Sequence, residues 1–79
     1  MKVTYDPRHN IAYLHFQEKT AEVETIQISE ALNVDLAPDG TVYGIELLNA
    51  NVQLRGDNGG HLVVVNEAVG KTEDILLGV

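Results

Sequence analysis

Residues 31–51, ALNVDLAPDGTVYGIELLNAN, encode two β-strands, the turn between them and a stop signal in one unbroken run. Leu32, Val34 and Leu36 alternate with Asn33 and Asp35, the period-two pattern of a strand with one buried and one wet face. Pro38-Asp39-Gly40 then supplies a fixed φ, a side chain that bonds the backbone ahead of it and a residue tolerant of positive φ. Together they suit a type I turn closing into a bulge. Thr41 to Leu48 resumes the strand, with Tyr43, Ile45 and Leu47 on one parity and Val42, Glu46 and Leu48 on the other; Asn49-Ala50-Asn51 ends it.

Upstream, Lys2 to Asp6 reads as a first strand with Val3 and Tyr5 on one face, and Asp6-Pro7-Arg8-His9-Asn10 as its turn. Ile11 to Phe16 is a second strand. Ala12, Leu14 and Phe16 lie on one side and Ile11, Tyr13 and His15 on the other, and bulk on both faces places this strand centrally or at an interface. Glu22 to Ile28 forms a third, whose apolar parity shifts between Val23 and the pair Ile26 and Ile28; a bulge near Glu24-Thr25 reconciles them. Downstream, Gln53 to His61 contains Arg55-Gly56-Asp57-Asn58-Gly59-Gly60 and reads as a polar loop. Leu62 to Val65 and Ile75-Leu76-Leu77 are apolar runs, and Gly70 suits the left-handed position of a short turn between them, giving a C-terminal β-hairpin. The rival is a short helix over Thr72 to Leu77, with Thr72 as N-cap and Glu73 and Asp74 in its first turn. The expected fold is mainly β: a small antiparallel sheet of successive hairpins, a meander, ending in that hairpin or helix, all within a single β-rich domain spanning residues 1–79.

A chain of 79 residues buries only about 60% of the surface that its unfolded form exposes. A core of that size rarely supplies more than ~3–5 kcal/mol. With no cysteine there is no disulfide to help, so a homodimer is expected. No apolar run approaches the roughly 20 residues of a membrane span, and the opening MKVTYDPRHN lacks the apolar core of a signal peptide. A soluble cytoplasmic protein is the expectation. Five Lys and Arg stand against twelve Asp and Glu, a formal net charge of −7, and no basic cluster is present to neutralise phosphates. Direct nucleic-acid binding is therefore not expected. An acidic surface attracts basic partners, although solubility alone accounts for the same charge.

Constellations with chemical potential are few. Taking Asp35 as the first position of an EF-hand loop puts Asp39 at five, Gly40 at six and Glu46 at twelve, but Ala37 at three cannot ligate, Pro38 belongs to a hairpin turn and the flanks are strands rather than helices. His9, His15 and His61 are the only imidazoles; none are spaced i, i+4, and His15 beside Tyr13 could meet its symmetry mate in a dimer. Ser29 is the only serine and belongs to a turn with Glu30. Glu22 with Glu24, and Glu73 with Asp74, are adjacent carboxylates of the kind that protect open strand edges. Gly56-Asp57-Asn58-Gly59-Gly60 lacks the Lys-Ser/Thr of a phosphate-binding loop. Gly44 and Ile45 would matter for binding only by permitting close strand approach at an edge; the favoured reading of Gly44 is a strand glycine at a bulge. No catalytic, cofactor-binding or metal-ligating residue is assigned, no cofactor is implied, and the chain is not expected to be an enzyme.

Val3-Thr4-Tyr5-Asp6-Pro7, Ala12-Tyr13-Leu14, Val34-Asp35-Leu36 with Asp39-Gly40, and above all Val42-Tyr43-Gly44-Ile45-Glu46-Leu47-Leu48-Asn49-Ala50 resemble the small bacterial family catalogued as domain of unknown function 2283. The resemblance covers roughly residues 1–51, and its Gly-Ile-Glu-Leu-Leu-x-Ala ending is the most specific part. It implies a compact antiparallel β-rich domain with no established activity. The resemblance also implies that members are often encoded beside small proteins similar to the RelE-type toxin class, and hence an antitoxin-like binding role, toward a small basic partner, for some of them. Asn10 stands where such relatives often carry an acid, and the segment after Asn51 departs from the short helical tail that the resemblance implies. The alternative role is a structural or assembly protein acting as a homodimer with no dedicated partner.

Overall fold

In the computed structural model, which describes residues 1–79, the chain runs β1 (Lys2–Asp6), β2 (Ile11–His15), β3 (Glu24–Ser29), β4 (Leu32–Leu36), β5 (Val42–Leu48), α1 (Ala50–Arg55), β6 (His61–Asn66) and β7 (Lys71–Leu76). Every pairing is antiparallel. The first five strands form one sheet in the order β1-β2-β5-β4-β3, and β6 and β7 form a separate two-stranded arm. The antiparallel, hairpin-built fold expected from the sequence is present. Its strand order adds a crossover, because β5 returns between β2 and β4 and the segment after β2 must travel to the far edge before β3 begins.

Register explains why so short a chain makes a defined sheet. One row across all five strands is Val3, Leu14, Ile45, Val34 and Ile26, and a second is Tyr5, Ala12, Leu47 and Leu32. On the opposite face the rows are Lys2, His15, Gly44, Asp35 and Thr25, then Thr4, Tyr13, Glu46, Asn33 and Gln27. One face is therefore mainly apolar, with Glu24 beside Leu36 at its β3 end, and the other mainly polar, with Ile11 beside Leu48 at one end. A slip of one residue would exchange the two, so the alternation itself fixes the pairing.

The turn at Pro38-Asp39-Gly40 forms as expected: the Gly40 amide donates to the Ala37 carbonyl at 2.9 Å, Gly40 has φ of 86°, and the Asp39 carboxylate accepts from the Thr41 amide at 3.0 Å. The β4–β5 register shifts just beyond it, leaving Tyr43 as the extra residue on β5. The bulge expected at Glu24-Thr25 lies instead at Ile28, the extra residue between Gln27 and Ser29. Val23 precedes the strand and so takes no part in its parity, while Ile26 sits in register with Val34.

Two downstream expectations are corrected or resolved. Gln53 to Arg55, the start of the segment read as a polar loop, instead close helix α1, which begins at Ala50 within the run read as ending the strand; Ala50 is fully buried and Gly56 has a positive φ just past the end. The alternatives for the C-terminus resolve to the hairpin: β7 spans Lys71–Leu76, with Gly70 at φ 66° in the turn, and the Thr72–Leu77 helix does not form.

Almost nothing is fully enclosed. Ala12, Tyr43 and Ala50 are the only buried apolar residues. Helix α1 makes its main contact with β2, and β6 and β7 pack chiefly on each other. The radius of gyration is 14.0 Å, against about 12 Å for a compact domain of this length.

Candidate functional site

The polar face of the five-stranded sheet gathers the densest set of ionisable side chains. At its centre is Asp35 of β4. Its Oδ2 accepts from the Tyr13 hydroxyl at 2.6 Å and from Lys19 Nζ at 3.0 Å, and its Oδ1 accepts from the Thr25 hydroxyl at 2.6 Å. Thr25 and Asp35 are register partners, and Asp35 is paired through Gly44 to His15, so β-sheet geometry delivers three of these groups to one row. Tyr13 leans in from the adjacent row. It does so because Gly44 has no side chain: a Cβ at that position would collide with the Tyr13 ring. Gly44 lies on the central strand β5, so its role is to admit this ring rather than to permit approach at an edge.

Lys19 arrives from the crossover between β2 and β3 and completes the cluster, its ammonium 4.7 Å from the centre of the Tyr13 ring. The same crossover is tied down by the amides of Phe16 and Gln17, which donate to the Tyr43 carbonyl, and by the Ala21 amide, which donates to the Tyr43 hydroxyl at 3.2 Å. Tyr43 is the bulged residue of β5, and at 3% exposure it is the largest buried side chain.

These contacts set the protonation states. Partial burial raises the Asp35 carboxyl, but hydrogen bonds from Thr25, Tyr13 and Lys19 outweigh it and hold it below its ordinary value. Burial, then the Asp35 carboxylate, raises Tyr13, and the hydrogen bond to Asp35 raises Lys19. All three stay in their usual neutral-pH forms and are engaged with one another. His15 packs edge-on against Tyr13 with ring centroids 4.4 Å apart, and desolvation followed by Lys2 and Lys19 lowers its pKa, favouring neutral imidazole. The cluster acts as a polar clasp that binds the crossover to the sheet.

The residues of the calcium-like pattern do not converge. Asp35 belongs to the clasp, Asp39 caps its own turn through the Thr41 amide and hydroxyl, and Glu46 accepts from Asn33 at 2.9 Å. No group of three His, Cys, Asp or Glu side chains is placed to hold a metal ion. The histidines are equally dispersed: His9 meets Asp6 at 2.7 Å in the first turn, His61 meets Asp74 at 2.7 Å in the arm, and His15 meets the Thr4 hydroxyl at 3.4 Å. Ser29 accepts from the Ala31 amide within its turn.

Sequence reasoning missed a second polar assembly. Asn10, in the left-handed region with φ of 54°, accepts from the Asn51 amide at 2.9 Å and donates to Asn51 Oδ1 at 2.8 Å and Asn49 Oδ1 at 3.2 Å; the Tyr5 hydroxyl also donates to it, at 3.3 Å. The Asn10 carbonyl accepts from the Ala50 amide at 3.0 Å. The first hairpin turn thus caps the start of α1, satisfying amides that a helix N-terminus leaves open. The available signal was the recurrence of asparagine at 10, 49 and 51, with two of the three at a strand end or turn.

Both assemblies fall within the stretch from β1 to the first turn of α1, and a model of the family described as a protein of unknown function, DUF2283, matches residues 2–51. The chain belongs to that family. The matched stretch of this chain holds the five-stranded sheet and the asparagine network, and the arm lies beyond it. No curated protein and no solved structure matches the chain. No helix of the chain is long and apolar enough to cross a membrane.

Proposed function

We propose that the chain is a non-catalytic protein-binding module, antitoxin-like in that it holds a small basic protein in the cytoplasm, and that this partner docks on the outer edge of β3. The supporting observation is the condition of that strand. It is the last in the sheet, all six of its residues are exposed, and its outer side has no strand beside it. Ile26 and Ile28 are exposed along it, Glu22 and Glu24 stand at its start, and Glu30 follows its end.

An extended segment added to this edge gains main-chain hydrogen bonds along the strand, and the flanking side chains choose which segment it is. Charged residues at an open edge also discourage pairing between copies of the same chain. Here the carboxylates that repel another acidic copy favour a strand carrying Lys or Arg. The resemblance that implied a toxin-class partner agrees with this chemistry.

Co-expression with the product of the neighbouring gene, followed by light scattering, tests the reading. A mixed complex that is lost on combining Glu22→Lys with Glu24→Lys is expected. A chain that purifies alone, or a complex indifferent to that charge reversal, would overturn it.

A further inference from the structure

No second sheet packs on the apolar face, whose one fully buried side chain is Ala12 of β2, the strand that α1 contacts. The two rows of that face carry no charged group; apart from Ala12, Ile26 is exposed and the other side chains are partly exposed in the single chain. The arm does not fold back to cover them. It adds more uncovered apolar surface, since Val63, Val64, Val65, Ile75 and Leu76 are all exposed.

Area identifies how large a partner this surface requires. The chain exposes 5669 Å², whereas a compact monomer of 8.6 kDa exposes about 4,700 Å². The surplus is roughly 1,000 Å² per chain, so two chains that removed it would bury roughly 2,000 Å² in total, the size of a stable homodimer interface. A five-stranded face about 24 Å wide and 17 Å long supplies about 400 Å² of that in projection. The arm accounts for the remainder.

We propose that a second copy of this chain covers the apolar face, sheet against sheet, with each arm lying along the rim of the other copy. A flat apolar surface is self-complementary under two-fold symmetry, which is what an isologous contact needs. A foreign partner would have to be chosen by polar or charged groups, and the rows offer only the Tyr5 hydroxyl, which is already bonded to Asn10. The stacking also turns the polar faces outward, so Asp35 and Glu46 of the two acidic copies point away from each other. Two twisted sheets pack in this way about 10 Å apart. The interface leaves the outer main-chain edge of β3 open, with Glu24 and Ile26 of that strand on the covered face.

The chain contains no cysteine, so a single introduced thiol reports on one position. Val34 lies in an apolar row and Gln27 on the polar face. Light scattering of the full chain should give twice the chain mass. As concentration rises into the dimeric range, the thiol of Val34→Cys should react about tenfold more slowly with a soluble disulfide reagent while that of Gln27→Cys is unchanged. Ile26→Cys, at the exposed end of the same row, repeats the measurement at a site less able to disturb folding. A monomeric mass at every concentration, or a dimer whose apolar-face thiols react at concentration-independent rates, would overturn the proposal. Neither result depends on whether a basic protein binds at β3.

Discussion

The ring of Tyr13 lies across the backbone of Gly44, occupying the space where any other residue would place its Cβ. The contact joins β2 to β5 on the polar face and aims the phenol at Asp35. Gly44→Ala should therefore push the ring aside and destabilise the sheet by about 1–3 kcal/mol. Urea unfolding measures it. The cost should shrink sharply in a Tyr13→Leu background, because the two substitutions share one contact.

The Asp35 carboxyl gives stability a pH dependence of known sign. Its folded-state pKa is below the ordinary 3.8, so the contribution is fully present above that value and is lost as pH falls through the depressed folded value. Acid titration of unfolding free energy should show a downward slope beginning near the ordinary carboxylate range. Asp35→Asn should be less stable at neutral pH and should show a shallower slope there. An identical slope in the two proteins would exclude Asp35 as a source.

Asn10 combines a left-handed backbone with an amide that meets Asn49 and Asn51. Asn10→Ala removes these bonds and leaves a β-carbon in a region it disfavours, at a cost of about 1–3 kcal/mol. Asn10→Asp should cost less, because a carboxylate still accepts from the Asn51 amide and aspartate tolerates positive φ. Thermal denaturation of the three proteins orders them.

The arm can be altered without touching the sheet. Val63 and Val65 share one face of β6 and are exposed. Combining Val63→Glu with Val65→Glu should leave the circular dichroism spectrum intact and raise the dimer dissociation constant by at least about tenfold, as expected for removing an apolar contact worth more than 1.4 kcal/mol. Sedimentation across a dilution series measures the shift.

Strand positions were legible because Leu32, Val34 and Leu36, and likewise Val3 with Tyr5, alternate with polar neighbours at period two, and because Pro38-Asp39-Gly40 and Gly70 mark turns by local chemistry alone. The place of β5 between β2 and β4 was not. It depends on the crossover being held by Lys19, Ala21 and Tyr43, contacts between residues some twenty positions apart that no local pattern announces. The bulge was misplaced for a related reason: Val23 looks like part of the strand by composition, and only pairing with β4 shows that β3 begins at Glu24. The short helix was hidden because six residues hold little periodicity, although Ala50 and Leu54 are one turn apart and Gly56 follows. The polar clasp was visible only as separate residues, Asp35 within a calcium-like spacing and His15 beside Tyr13; the partners Thr25 and Lys19 enter through the register and the crossover.

Gln53, whose side-chain amide bonds the Ala31 and Leu48 carbonyls, is the last side chain to reach back into the five-stranded sheet. Beyond it the hydrogen bonds of Arg55, Gly60 and Leu77 stay among the helix end and the arm. The asparagine network and Gln53 therefore form a bulkhead, with the hydrogen bonds of the five-stranded sheet on one side and those of the arm on the other.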